Sequence, residues 1–163
     1  MTDTEPARPA PDATPRERLR RLGLQLPPVP VPRGRYRPWR RSGTLVVTAG
    51  LISADAAGVR GGRVGADLDL AAAAAAARVA ALALLAVLEE AAGGLDHVAQ
   101  LLLVQGFVRS AAGFTEQPQV VDAASELLGA VLGEAGLHAR VAIGAAELPL
   151  GAAVELQAWA EVG

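Results

Sequence analysis

The alanine-rich run at residues 71–88 is the feature that most constrains how this chain can fold. Alanine has the highest helix propensity, and Arg78 is the one charged residue within the run. Asp69 is a credible N-cap in front of it, and Gly93-Gly94 offers a helix end behind it. A membrane span normally needs about 20 strongly apolar residues, and the alanines dilute this run. It therefore predicts one long helix packed in a protein core.

Short apolar segments on both sides of this helix have the composition of β-strands. The expected strands cover residues 36–41, 44–48, 98–108, 139–145 and 153–162. A second helix is expected from about Thr115, with Pro118 in its first turn, to Gly133. The glycine-rich residues 53–65 predict a loop or a weak hairpin. This order indicates an α+β domain in which two helices cover one face of a mixed sheet.

The last expected strand alternates between apolar and polar side chains. Val154, Leu156, Ala158, Ala160 and Val162 point to one face. Glu155, Gln157, Trp159 and Glu161 point to the other. A sheet face that carries an exposed tryptophan usually meets a partner chain, so we expect an oligomer.

The first 41 residues differ from the rest of the chain in charge. They hold ten arginines and four acids, a balance of +6, whereas residues 42–163 hold five arginines and thirteen acids, a balance of −8. Nine of the eleven prolines also lie in this part. We therefore expect residues 1–33 to be a flexible Arg/Pro-rich tail and residues 34–163 to form the domain. The arginines at 16–21 suit an anionic partner, but a solubilising tail or one folded back on the acidic domain is favoured, because no aromatics are interleaved.

The residue types that are missing exclude several classes of chemistry. The chain has no cysteine, so disulfides, thiolate metal sites and a cysteine nucleophile are excluded. It has no lysine, which excludes a Schiff-base mechanism. Two distant histidines give no metal-site spacing, and we expect neither a metal nor a cofactor. The polar start lacks a signal peptide's apolar stretch, so we expect a cytoplasmic protein that does not enter a membrane.

Arg140 lies inside an apolar strand, unlike the other arginines of the expected domain. A charge there is costly unless it is paired or binds an anion, and the guanidinium fork matches a carboxylate. Glu155 lies on the next expected strand. If the two strands formed a hairpin, Arg140 and Glu155 would lie close together, either as a structural salt bridge or as a functional pair.

The segment from Arg140 to Ala158 resembles the C-terminal signature of the YjgF/RidA family, in which an arginine strand, a Leu-Pro turn and a V-E-[IL]-[EQ]-[AV] strand close the domain. The expected hairpin from Tyr36 to Leu51, with Thr48-Ala49-Gly50, resembles the family's Y-x-x-x-x-x-x-G-x-x-[LIV]-x-x-S-G-Q. Leu95-Asp96-His97-Val98 resembles its L-x-D-V element. The resemblance covers roughly residues 22–162. Segments at 64–68, 106–108 and 114–118 resemble a longer, less characterised branch.

The resemblance implies a chorismate-mutase-like fold and a homotrimer with pockets between subunits. It also implies hydrolysis of 2-aminoacrylate-type enamines and imines to 2-keto acids and ammonia, without a cofactor. Carried over, Arg140 would bind the substrate carboxylate and Glu155 would activate water. Tyr36 would line the pocket.

Three positions depart from the family's usual pattern. Ala49 stands where the family usually has serine, Leu51 where it has glutamine, and Gln157 where a second glutamate is frequent. These changes make the expected pocket less polar. Ala49 and Gln157 are candidate pocket residues. Gln105 and Arg109 are further candidates, which would add polar groups to the pocket.

Three functional readings therefore stay open at this point: an enamine/imine deaminase, a non-catalytic trimer that binds a small carboxylate and regulates a partner, and a ribonuclease or translation inhibitor. The last is the weakest, because the domain is acidic and nucleic-acid binding needs a basic patch.

Overall fold

The computed structural model describes residues 13–163. The α-helices in this range are α1 (Pro15–Arg21), α2 (Leu70–Ala92) and α3 (Gln117–Leu132). The strands are β1 (Trp39–Ser42), β2 (Leu45–Thr48), β3 (Leu51–Ile52), β4 (Ala54–Asp55), β5 (Gly58–Val59), β6 (Val98–Arg109), β7 (Ala139–Ala145) and β8 (Val154–Val162). The expected α+β class is confirmed.

The main sheet has the strand order β1-β2-β8-β6-β7, and β3 continues the line of β2 along β8. β6 and β7 run parallel, and the other neighbours are antiparallel. α2 and α3 cover one face, where the apolar side chains of β8 are buried. On the opposite face, which we call the open face, β8 carries Glu155, Gln157 and Trp159. The two helices on one face of a mixed sheet match the expectation from sequence.

The alanine-rich helix begins and ends where the sequence predicted. Asp69 accepts a hydrogen bond from the Ala72 amide at 2.8 Å. Gly93 ends the helix in the left-handed region, at φ 74°. α2 is long and apolar enough to cross a membrane by length and composition alone, but 56% of its most apolar stretch is buried inside the protein. It is therefore the central helix of the core.

Gly106 lies within β6, which continues through it without a break. A β-carbon at this position would lie 2.6 Å from a methyl carbon of Val121 on α3. The glycine therefore allows α3 to approach the sheet closely. This close approach explains why a glycine, which usually weakens a strand, lies inside β6.

The conditional expectation that β7 and β8 pair as a hairpin is wrong. β6 lies between them and pairs with both. Neighbouring strands lie about 4.8 Å apart, so the connection over residues 146–153 easily spans the width of one strand. β8 takes the central position because both of its edges pair, with β2 and β3 on one side and β6 on the other.

The N-terminal segment differs from the flexible tail that we expected over residues 1–33. Thr14 and Glu17 form a capping box at the start of α1. Leu19 is buried, and Arg16 pairs with Glu89 of α2 at 2.5 Å. The physical reason is that one apolar anchor and the charge difference between segment and domain together hold a short helix on the surface. This corresponds to the alternative in which the segment folds back on the acidic domain. The part of the expectation that concerns residues 1–12 lies outside the described residues.

Candidate functional site

The sheet is irregular where β2 gives way to β3. Val47 pairs with Trp159 and Leu51 with Leu156, so three residues between them face two on β8. This extra residue makes a β-bulge, a feature that bends a strand and re-aims its side chains. Thr48 holds the bulge, since its hydroxyl accepts a hydrogen bond from the Ala158 amide at 3.0 Å. The strand therefore bends beside Glu155.

Glu155 lies next to this bulge, where it pairs with Ile52. Its carboxylate rests on the backbone of Gly50, and a β-carbon at Gly50 would lie 1.8 Å from Oε1. Burial raises the pKa of Glu155 above its usual value. Within residues 13–163 the carboxylate has no hydrogen-bond or ion-pair partner. A half-buried carboxylate that is free of partners is suited to carry a proton.

Glu155 lies in the wall of a cleft of about 920 Å³. Its walls come from residues 30–33, which we call the strap, and from Tyr36, the bulge, the β4–β5 hairpin and the turn at 149–150. Its ionisable groups are those of Arg33, Tyr36 and Glu155, and most of the remaining lining is apolar. A cleft with mostly apolar walls and a few convergent polar groups is typical of a small-molecule site.

Leu150 has an unusual backbone conformation in the wall of this cleft. It is the one non-glycine residue with positive φ in the described part of the chain, at 58°. Its side chain is 55% exposed. A left-handed leucine is strained, and such residues cluster at ligand sites. The turn keeps an apolar side chain at the cleft although packing does not bury it.

Arg140 lies away from this cleft. In the sheet, Arg140 of β7 is paired with Val104 of β6, and Val104 is paired with Ala158 of β8. Val104 is fully buried under the helices. The Arg140 side chain is therefore on the helix-covered face, opposite Glu155. There it donates to Asp122 of α3 at 2.6 Å and to Ser125 at 3.2 Å. Within one chain, Arg140 and Glu155 do not form a pair.

His138 belongs to the same group of side chains as Arg140. Its Nδ1 lies 2.7 Å from the Gly136 carbonyl and its Nε2 lies 3.0 Å from the Ser125 hydroxyl. Burial lowers its pKa, and the nearby Arg140 lowers it further. Neutral His138 thus helps to tie the start of β7 to α3.

The other sequence candidates divide between the cleft and its surroundings. Ala49 and Tyr36 line the cleft. Gln157 lies behind it and donates to the Thr48 carbonyl at 3.0 Å. Gln105 lies on the open face beside Gln157, and Arg109 pairs with Glu147 at 2.7 Å. Within residues 13–163, no group of three His, Cys, Asp or Glu side chains is arranged to hold a metal ion.

Sequence reasoning missed much of the cleft lining, including Arg33, Leu150 and Gly50. Arg33 was assigned to the tail, Leu150 to a connection, and Gly50 to a motif without a role. A signal for Arg33 was present, because it stands three positions before Tyr36, which the family pattern places at the pocket. No local signal identifies Leu150, because its importance arises from backbone geometry.

Comparison with known proteins places the chain in a family. Residues 16–162 match the family described as YjgF/chorismate mutase-like, putative endoribonuclease. Protein TCP17 of Trypanosoma cruzi is 41% identical over 146 residues, covering 88% of this chain and 91% of that protein. The crystal structure of Atu1372 from Agrobacterium tumefaciens, of unknown function, is 38% identical with a TM-score of 0.83, covering 90% of this chain and 92% of the other.

One further crystal structure agrees with this placement, and another shares the fold. The protein from Shewanella oneidensis with the same endoribonuclease description is 32% identical, with a TM-score of 0.88 and coverage of 92% and 100%. A RidA from the Antarctic bacterium Psychrobacter is 23% identical, with a TM-score of 0.60 over 85% and 97% of the two chains, and it shares the fold. The family match spans nearly all of the described residues, and the chain belongs to the YjgF/RidA family.

Proposed function

We propose that this protein hydrolyses enamine and imine intermediates of the 2-aminoacrylate type to 2-keto acids and ammonia, in the cleft around Glu155. The observation that carries the proposal is Glu155 itself: a half-buried carboxylate with a raised pKa, held against Gly50 and free of partners among residues 13–163. A proton carrier works best when its pKa lies near the working pH, and burial moves a glutamate in that direction.

The proposed reaction needs only water and this carboxylate. An enamine first tautomerises to its imine. The imine reacts in its protonated form. Glu155 orients a water molecule and takes one of its protons as the oxygen attacks the iminium carbon and the C=N electron pair moves to nitrogen, which gives a neutral carbinolamine. Protonated Glu155 then returns that proton to the nitrogen, the C–N bond breaks with its electron pair leaving on ammonia, and the hydroxyl proton passes to Glu155 as the keto group forms and is then released to solvent or ammonia. Orientation of a reactive imine beside water accounts for much of the expected acceleration.

The role that family resemblance gives to Arg140 depends on assembly. In one chain its side chain lies on the face opposite Glu155 and is paired with Asp122. We propose that the protein forms a homotrimer with pockets between subunits, and an Arg140 role would require the arginine of a neighbouring copy to reach the cleft. We also propose that the protein acts in the cytoplasm.

A non-catalytic trimer that binds small carboxylates is the second candidate. Ala49 favours it, because it lines the cleft at a position where the family usually has serine. The side chain of Leu51, the second departure, lies in the core instead, where it is 4% exposed and pairs with Leu156. Such a protein would bind 2-keto acids without turnover. The acidic balance of residues 42–163 disfavours the third reading, ribonuclease activity.

Release of keto acid from imines generated in situ by an amino-acid oxidase tests the proposal. Wild-type protein should accelerate release above the spontaneous rate, and Glu155→Gln should remove most of that acceleration while keeping the cleft's shape. Glu161→Gln, on the same strand, is the matched control and should behave as wild type. Binding of 2-keto acids without acceleration would favour the second candidate, and cleavage of RNA with no effect on imines would favour the third.

A further inference from the structure

We propose that Arg33 of the strap binds the substrate carboxylate in this cleft, and that the cleft selects 2-imino and 2-keto acids with large apolar side chains. This inference rests on the proposed function and deepens it. It assigns a ligand contact to a segment that sequence analysis placed in the tail, and it names the class of substrate.

The strap has a fixed place on the domain. Leu24, Leu26 and Val29 precede it and pack, partly buried, against the core. Pro38 and Trp39 follow it: the Pro38 carbonyl accepts a hydrogen bond from the Ala49 amide at 2.8 Å, and Trp39 packs, partly buried, against the core. The strap is thus anchored on both sides and contributes Pro30, Val31, Pro32 and Arg33 to the cleft.

Arg33 provides the positive charge in the cleft. Among the described residues that line it, Arg33 is the only cation and Glu155 the only acid. Arg33 has no salt bridge within residues 13–163, whereas Arg140 is paired with Asp122. A guanidinium that is free of partners offers a fork of donors to a carboxylate. It would hold the acid group of the substrate in the same cleft as Glu155.

The apolar walls indicate what the rest of the substrate is. Val31, Tyr36, Val59 and Leu150 are all large apolar side chains exposed to solvent, and all four line this one cleft. Ala49 adds apolar surface between them. Exposed apolar groups concentrated around a cavity favour an apolar ligand, because its binding removes them from water.

The backbone strain at Leu150 is a second, independent observation. Glycine or asparagine adopts this conformation more readily than leucine. A leucine there, half exposed and facing the cleft, indicates that its side chain has a use that packing does not supply. Contact with an apolar substrate side chain would supply one.

Calorimetric titration of the full-length protein with 2-keto acids tests the inference without relying on turnover. Pyruvate carries a methyl group, and 4-methyl-2-oxopentanoate carries an isobutyl group with three more carbons. Each fully buried methylene is worth roughly fourfold in affinity. Because the cleft is open to solvent, we expect the larger acid to bind about tenfold more tightly.

Leu150→Asn should reduce this preference, since asparagine tolerates the left-handed backbone and removes the apolar wall. Affinity for 4-methyl-2-oxopentanoate should fall by more than affinity for pyruvate, so that the preference for the larger acid is lost. Arg33→Ala should weaken both acids by about fivefold and Arg33→Lys should rescue poorly. Arg35→Ala is the matched control, because Arg35 is exposed, lies two positions away and does not line the cleft.

Several outcomes would overturn the inference. These are equal affinity for the two acids, no binding of either, a loss in Arg33→Ala no larger than in Arg35→Ala, or a loss found in Arg140→Ala instead. If Leu150→Asn changes the subunit assembly by light scattering and leaves selectivity unchanged, the wall belongs to an interface between copies. Imine hydrolysis with no preference for apolar acids would contradict this inference and leave the proposed function in place. The expected binding pattern without hydrolysis would contradict the proposed function and leave this inference in place.

Discussion

The carboxylate of Glu155 occupies the space that a side chain at position 50 would need: a β-carbon on Gly50 would lie 1.8 Å from Oε1 and 2.8 Å from the carboxyl carbon. The atoms in conflict are the end of a flexible side chain and not backbone. A substitution at Gly50 should therefore move the carboxylate and leave the fold in place.

Gly50→Ala is accordingly predicted to remove most of the proposed imine hydrolysis while the melting temperature changes by no more than a few degrees. A 0.5–1 Å displacement of a group that positions water costs roughly tenfold to a hundredfold in rate. Activity and thermal unfolding are measured on the same preparation. A large loss of stability would show instead that Gly50 supports the bulge itself.

Glu155→Gln is predicted to raise stability at neutral pH. Burial raises the folded-state pKa of Glu155 above its unfolded value, so the native state binds more protons in the window between them, and stability falls as pH rises through that window. The uncharged amide avoids this loss. The gain in melting temperature should be clear above the raised pKa and should vanish as pH falls below the unfolded value, about 4.3. Glu161→Gln, whose carboxylate accepts from Gln100 at 2.9 Å, should give no such gain. A gain that persists at low pH would contradict the assignment.

Much of this fold is readable from the sequence because its signals are local. The long helix has its cap at Asp69 and its glycine at 93, and the last strand alternates along its whole length. The strand order is different in kind. The sequence of residues 139–162 does not predict that β6 lies between β7 and β8, because a short connection can cross one strand as easily as it can form a hairpin.

The cleft was harder to foresee for the same reason. Tyr36, Ala49 and Glu155 came from a family pattern, which preserves positions without explaining them. Arg33 and Leu150 come together with them only through the packing of residues 24–29 and the left-handed turn after Pro149. Side-chain composition made Arg33 look like part of a solvated tail, and only tertiary contacts place it in the cleft wall.

Gly106→Ala is predicted to destabilise the protein by about 1–3 kcal/mol. The new β-carbon would lie 2.6 Å and 2.8 Å from the two methyl carbons of Val121, and both residues are buried. Gly129→Ala is the matched control, since a β-carbon on Gly129 in α3 meets nothing within 4 Å and alanine favours the helix. Chemical denaturation should show the first variant losing stability and the second gaining up to about 1 kcal/mol. Equal effects would mean that α3 moves freely over the sheet.

Leu19→Ala is predicted to release α1 from the domain. Leu19 is 5% exposed and is the buried side chain of a helix with only seven residues, too short to persist alone. Limited proteolysis should then cut near residues 16–21, a region that we expect to be protected in the wild-type protein. Arg20→Ala, an exposed position on the same helix, should keep the protection. Rapid cleavage of the wild-type protein at these arginines would show that α1 is not docked in solution.

Trp159→Glu is predicted to convert the proposed trimer to a monomer. Trp159 is 42% exposed on the open face, and Val141 and Ile143 of β7 are also exposed there. Exposed apolar side chains grouped on a sheet face are commonly covered by another copy, and a charge placed among them would be buried without a partner. Light scattering on full-length protein should give three times the subunit mass for wild type and the mass of a single subunit for the variant. Leu137→Glu adds the same charge at a site that is 62% exposed, before β7 begins, and should remain trimeric. A wild-type protein that is monomeric at micromolar concentration would remove the proposed assembly, and a Trp159→Glu variant that stays trimeric would move the interface away from the open face.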